Sequence, residues 1–270
     1  MRSSRMLGIG VAAITAAAVV AITGTGTPAH AASPVHYVAL GDSYASGVGA
    51  GNTSGSCDQS PNAYPALWAS ANAPASFTFS ACSGATTAGV VSSQLSALNS
   101  STTLVSVTIG GNDVGFSSIM ETCVLESTSS CENAVSKAEQ YANNTLPGNL
   151  DSLFADIKTD APNAHVVVVG YPDFYDLSVS VCIGLSSGDH QALDNGINDL
   201  DGVLATAAGN YGFDFADVRG QFSGHELCDG AGWLNSIDIF DISSSYHPTA
   251  TGQADGYYPV FSAAAEALGQ

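Results

Sequence analysis

Val35-His36-Tyr37-Val38-Ala39-Leu40-Gly41-Asp42-Ser43-Tyr44 is the stretch from which the fold is read. Val35 to Leu40 is a short apolar run rich in β-formers, and Gly41 ends it. It therefore predicts a strand whose exit carries Asp42 and Ser43. Outward from it, strand-like and helix-like runs alternate. A Gly/Ser/Asn loop from Gly47 to Ser60 leads into a helical stretch with Tyr64, Leu67 and Trp68 on one face. Phe77-Thr78-Phe79 is expected as a second strand, Val90 to Leu98 as a helix, and Leu104 to Ile109 as a third strand stopped by Gly110-Gly111. From Glu132 to Ile157, apolar residues including Val135, Leu146, Leu150 and Phe154 fall at helical spacing, with a break near Pro147. Val166 to Val169 is fully apolar, as an interior parallel strand should be. His190 to Ala208 reads as helix, Phe213 to Phe215 as strand, and Pro248 to Leu268 as the closing helix. Strands separated by helices imply right-handed β-α-β units around a parallel sheet. Ligands of such open sheets sit beyond the carboxyl ends of the strands. There is no internal repeat and no linker polar enough to mark a boundary, so residues 32–270 are expected to form one three-layer α/β domain.

Residues 1–31 read as an export signal. Arg2 and Arg5 precede an uncharged, Ala/Val-rich run from Met6 to Ile22, and Ala29-His30-Ala31 has the small-x-small pattern that precedes a cleavage site. No later run of ~20 residues is apolar enough to span a bilayer, so no stable membrane insertion is expected. Acidic residues outnumber basic ones 24 to 5, for a formal net charge of −19. Too few cations exist to neutralise phosphates, which excludes a nucleic-acid partner. The same charge works against docking on strongly anionic membranes. All six cysteines (Cys57, Cys82, Cys123, Cys131, Cys182 and Cys228) follow the leader, and an even count in an exported chain implies three disulfides. No C-x-x-C or H-x-x-x-H pair suggests zinc, and no metal is expected. Six cysteines allow about 15 pairings. The sequential one is expected, since Cys123 and Cys131 are close enough to close a small loop.

Three strand exits hold the residues with chemistry in them. Ser43, in Gly41-Asp42-Ser43-Tyr44, sits on the turn leaving the first strand. Taken alone, Asp42 and Ser43 there are equally an ordinary helix N-cap. Gly110-Gly111-Asn112-Asp113 follows the third strand: two glycines permit a tight turn and close approach to a ligand, and the Asn112 amide offers N–H donors. In Ser245-Tyr246-His247-Pro248-Thr249 the proline restrains the histidine and opens the next helix. An imidazole near neutral pH is the natural base for a serine hydroxyl. His36 and His165 lie in strands, whereas His190 and His225 are expected at the surface. Asp194, Asp199 and Asp201 do not match a calcium-loop spacing and are expected on a solvated helix face.

With those three blocks in order, the chain resembles the SGNH (GDSL-type) serine hydrolases, most closely the secreted actinobacterial lipases and esterases with three disulfides. The resemblance spans the whole chain after the leader. It implies a flavodoxin-like α/β/α sandwich, no cofactor, and ester hydrolysis through an acyl-serine. It also implies Ser43 as nucleophile, with the Ser43 and Gly84 backbone N–H groups and the Asn112 side chain as oxyanion donors. Gly84 stands in Cys82-Ser83-Gly84-Ala85, which resembles the second family block, and His247 is the implied base. Sequential cysteine pairing is again implied, and a Cys57–Cys82 bridge would hold two oxyanion donors in register. One departure stands out: the family usually has Asp three residues before the histidine, and here that position is Ser244. A Ser-His dyad is therefore expected, with the backbone carbonyl of Ser244 or Ser245 accepting from the imidazole. The other account bends the loop until Asp241 reaches the ring. The pattern Gly-x-Ser-x-Gly of α/β-hydrolases is absent around Ser43.

Apolar residues in the loops Phe116 to Leu125 and Val179 to Leu185 are expected to line an acyl groove. The expected substrate is a small-molecule or lipid ester, and the expected state is a monomer. A phospholipase A1 or a lipid acyltransferase is the alternative within the family. Outside enzymes, the alternative is a secreted carbohydrate- or surface-binding module without turnover. That alternative calls for exposed aromatic platforms, whereas Trp68 and Trp233 both read as core.

Overall fold

The computed structural model describes Met1 and residues 34–179, 182, 184–237 and 244–266. Residues 2–33, Asp241, and parts of the 179–185 segment and of the chain end lie outside the described residues. The chain divides after Ala32, and the sheet with its helices belongs entirely to the unit Ser33–Gln270.

Five parallel strands form the sheet: β1 (His36–Gly41), β2 (Ser76–Phe79), β3 (Leu104–Thr108), β4 (His165–Val169) and β5 (Asp214–Ala216). Their order is β2-β1-β3-β4-β5. This is the flavodoxin-like order, in which the crevice opens between β1 and β3, where the winding reverses. Register fixes which residues meet there: Gly41 pairs with Thr108, and the Asp42 N–H extends the ladder to the Thr108 carbonyl at 2.9 Å. β3 and most of β4 are buried on both faces, which accounts for their largely apolar and β-branched character, and the one exception, Ser106, meets the Tyr37 hydroxyl at 2.7 Å.

Helices cover both faces. On one lie α2 (Tyr64–Asn72), α8 (Arg219–Phe222) and α9 (Tyr258–Glu266). On the other lie α3 (Thr87–Ser93), α4 (Phe116–Leu125), α5 (Thr128–Asn144), α6 (Leu146–Asp160) and α7 (Ser187–Tyr211). The break expected near Pro147 falls between α5 and α6, where Pro147 sits in the first turn of the new helix. The expected closing helix is not regular. A wider π turn occupies Gly252–Tyr257 before α9 begins, and it places the buried Gln253 against the first helix after β1.

The structure corrects two expectations here. Phe116 to Leu125 is a helix, not a loop. His190 is buried rather than at the surface, its ring stacked on Tyr175 with centroids 3.8 Å apart. Both readings of tryptophan hold in kind: Trp68 is 5% exposed, and Trp233 packs half-buried against the core. Bridges join Cys57 to Cys82, Cys123 to Cys131 and Cys182 to Cys228, the sequential pairing. Among the described residues, no helix is long and apolar enough to cross a membrane.

Candidate active site

The first site element forms because Gly41 can do what no other residue could. Its φ is +129°, and a Cβ there would lie 2.3 Å from the Thr108 carbonyl oxygen. The chain then turns at once into α1 (Ser43–Ser46), where Asp42 is the N-cap and accepts from the Tyr44 N–H at 3.0 Å. Two buried glutamines lock this turn. Gln94 accepts from the Gly41 N–H and donates to the Gly41 carbonyl, both at 2.8 Å, while Gln253 donates to the Tyr44 carbonyl at 2.9 Å. Ser43 is thereby fixed at the mouth of the β1/β3 crevice with its N–H at a helix start.

His247 comes from the far end of the chain. Its Nε2 lies 2.7 Å from the Ser43 Oγ, and its Nδ1 lies 3.1 Å from the Ser245 carbonyl oxygen. Both Ser43 and His247 are less than a tenth exposed. The ring packs on Tyr44, with centroids 4.9 Å apart, and on the edge of Phe116. An Nδ1–H given to the carbonyl leaves Nε2 as the acceptor for the serine hydroxyl, the arrangement in which imidazole can take a proton. Ser244 contributes differently, its carbonyl accepting from the His247 backbone N–H at 3.2 Å. Asp241 lies outside the described residues.

The other exits close on the same crevice. Past β2, the Cys82 N–H bonds to the Gly41 carbonyl at 3.0 Å and the Ser83 N–H to the Cys57 carbonyl at 3.1 Å, with the Cys57–Cys82 bridge alongside. Gly84 is in the left-handed region at φ +77°, and a Cβ there would point into open space. Past β3, Asn112 gives one amide hydrogen to the Ala85 carbonyl at 3.0 Å, which orients the amide beside the Gly84 turn. Asp113 accepts from the Thr87 N–H and hydroxyl. Among the described residues, the N–H groups of Ser43 and Gly84 donate to nothing, so both are available to a ligand oxygen. No cluster of three His, Cys, Asp or Glu side chains among the described residues is placed to hold a metal.

Residues 39–254 match the GDSL-like lipase/acylhydrolase family. The chain belongs to that family. Like its members, it is a carboxylic ester hydrolase. It is 51% identical to Lipase 1 of Streptomyces coelicolor over 271 residues, covering 98% of this chain and all of the relative. Among solved structures it superposes on phospholipase A1 of Streptomyces albidoflavus with TM-score 0.84 and 49% identity, covering 86% of this chain and 99% of that one. The extracellular lipase of Streptomyces rimosus gives TM-score 0.83 and 49% identity over 85% and 99%.

Two features of this family member went unseen in the sequence. Tyr171, at the exit of β4, donates its hydroxyl to Asp42 Oδ2 at 2.5 Å and accepts from the Gly111 N–H at 3.1 Å. The rule that ligands gather at strand exits pointed to Gly170-Tyr171 as much as to the other three exits. The acidic residues of α7 also correct an expectation: Asp194 and Asp201 are buried, and Asp199 alone is exposed. Asp194 accepts from the Phe174 and Tyr175 N–H groups, and Asp201 from the Tyr171 N–H, so the segment after β4 hangs on two α7 carboxylates. Burial pushes their pKa values up, to about 7 for Asp194 and about 8 for Asp201, and pushes Asp42 to about 7.

Proposed function

We propose that the protein is an exported lipase that cleaves acyl esters of lipid-like substrates through an acyl-serine held by a Ser43–His247 dyad. His247 takes the Ser43 proton as Oγ attacks the ester carbonyl. The Ser43 and Gly84 N–H groups and the Asn112 amide receive the oxyanion, and His247 then protonates the departing alcohol. Water, deprotonated by the same imidazole, releases the acid. The Ser245 carbonyl holds the ring in the tautomer this cycle needs, the task a carboxylate performs in a triad. The observation that carries the reading is the 2.7 Å contact between Ser43 Oγ and His247 Nε2.

Two apolar spaces beside the dyad support a lipid-like acyl ester. One, of about 50 Å³, runs under Ser43 between α5 and α7 and is lined by Phe116, Ile119, Val135, Leu193 and Ile197. The other, of about 510 Å³, follows α4 from His247 past Met120 and Val124 to the exposed Leu125. The larger falls in the range of small-molecule sites, ~300–1,000 Å³. A phospholipase A1 reading is favoured by the 49% identity to the Streptomyces albidoflavus enzyme of that name. Export is supported by the pattern of residues 1–31 and by three disulfides, which persist in oxidising compartments. Hydrolysis of p-nitrophenyl esters from acetyl to palmitoyl, and of phosphatidylcholine with the released chain identified, tests the substrate. The reading expects kcat/KM to rise from acetyl to medium or long chains, and a flat or falling series contradicts it.

A further inference from the structure

The oxyanion donors of the proposed mechanism stand on turns far apart in sequence. Ser43 N–H follows β1 and the Asn112 amide follows β3. The β1–β3 ladder ends at the Asp42 N–H to Thr108 carbonyl bond, and past it no hydrogen bond among the described residues joins the two turns directly. Tyr171 spans that gap. Its oxygen donates to Asp42, the residue before Ser43, and accepts from the N–H of Gly111, the residue before Asn112. Asp42 is also the cap that sets the start of α1, through its other oxygen on the Tyr44 N–H. One phenol oxygen thus ties the backbone beneath one donor to the backbone beneath the other.

The tie is stiff. Tyr171 is 2% exposed, its N–H is held by Asp201 at 3.0 Å, and its ring meets Tyr44 edge-on with centroids 5.0 Å apart. A Cβ at Gly111 would lie 3.2 Å from the Tyr171 hydroxyl, so the glycine lets the two groups meet. A hydrogen bond to a buried carboxylate is among the stronger ones, and without it both Asp42 Oδ2 and the Gly111 N–H lose a partner. Oxyanion donors act by being fixed in advance at the distance the transition state needs, and tenths of an ångström matter there.

We propose that Tyr171 is a positioning residue that sets the spacing between the Ser43 N–H and the Asn112 amide, so that both bind one oxyanion. This rests on the assignment of those two groups as oxyanion donors. The test is a double-mutant cycle on a short soluble ester, comparing Tyr171→Phe, Asn112→Ala and the pair. Rates are taken per active site counted with a fluorophosphonate. Tyr171→Phe is expected to lower kcat by about 10- to 100-fold, the scale of a misplaced donor, with KM within about twofold. In the Asn112→Ala background the same change should cost less than about threefold, because the spacing it sets no longer matters. Equal losses in both backgrounds, or a wild-type kcat for Tyr171→Phe, overturn the proposal. If Tyr171→Phe does not fold, Gly111→Ala takes its place in the same cycle, since it keeps the hydroxyl but crowds it. Ser43→Ala is run alongside. Turnover by a folded Ser43→Ala protein refutes the mechanism itself, whereas an inert Ser43→Ala with a normal Tyr171→Phe refutes only the role of Tyr171.

Discussion

The turn that carries Ser43 and the segment that carries His247 are held in opposite ways. Ser43 sits on a turn gripped from four directions: the end of β3, Gln94, Gln253, and Tyr171 through Asp42. His247 follows Tyr246, which adopts a left-handed backbone at φ +65° that a bulky residue seldom takes. That conformation is kept by tethers on carbonyls. The Tyr44 hydroxyl donates to the Tyr246 carbonyl at 2.8 Å, and Asn235 donates through its N–H and its side chain to the His247 carbonyl, both at 2.9 Å. His247 is therefore hung, through Tyr44, from the helix that bears Ser43. Two elements separated by most of the chain are aligned because one is rigid and the other is moored to it.

The largest break comes on the rigid side. Ser43→Ala is expected to cost about 10⁴-fold or more in kcat, as loss of a nucleophile does, with the circular dichroism of the folded protein unchanged. Asn112→Ala is expected to cost about 10²- to 10³-fold in kcat, the scale for one oxyanion donor, while KM stays near its original value. On the moored side the effects are smaller. Tyr44→Phe removes the tether to Tyr246 but keeps the ring packed on His247, and about a tenfold fall in kcat is expected from steady-state rates. A fall as deep as that of Ser43→Ala would mean the two sides are not held differently. With Nδ1–H given to the Ser245 carbonyl, Asp241→Asn is expected to lose less than about tenfold. A collapse to the Ser43→Ala level would make that carboxylate the partner of His247.

The smallest expected effect separates stability from catalysis. Asp194 has its pKa pushed up to about 7, against an ordinary value near 4 in the unfolded chain. Between those values the unfolded state has released the proton and the folded state still holds it. Stability therefore falls as pH rises from about 4 through about 7, and Asp42 and Asp201 act with the same sign. Asp194→Asn keeps an acceptor for the Phe174 and Tyr175 N–H groups but cannot ionise. Its melting temperature should drop less between pH 5 and pH 8 than that of the unaltered protein, and equal drops would show that Asp194 does not titrate in that window.

What could be read from the sequence was what local chemistry writes there. The β1 run and its Gly41 exit, the four valines of β4, and the Pro147 break each derive from properties of a few adjacent residues, and each lies within a residue or two of its expected place. The Ser43 and Asn112 blocks are visible because a strand exit needs recognisable turn residues, whereas the expected strand before His247 is absent among the described residues, and that block shows only through the proline after the histidine. Other features were settled by tertiary contacts. α4 starts after Gly115 in a left-handed conformation with no side-chain cap, so the usual start signal is missing; its Met120, Val124 and Leu125 line the space beside His247. Asp194 and Asp201, two turns apart on α7, looked like a solvated face. They are buried because the segment after β4 turns its N–H groups toward them. The strand-exit rule marks the position of Tyr171, but its contacts to Asp42 and Gly111 form only where three strand exits meet.

Mapping the adduct of a fluorophosphonate probe on the folded protein tests the central claim most directly. One modified residue, Ser43, is expected, with labelling lost in Ser43→Ala and greatly slowed in His247→Ala. Labelling at another residue, or undiminished labelling without His247, would contradict it.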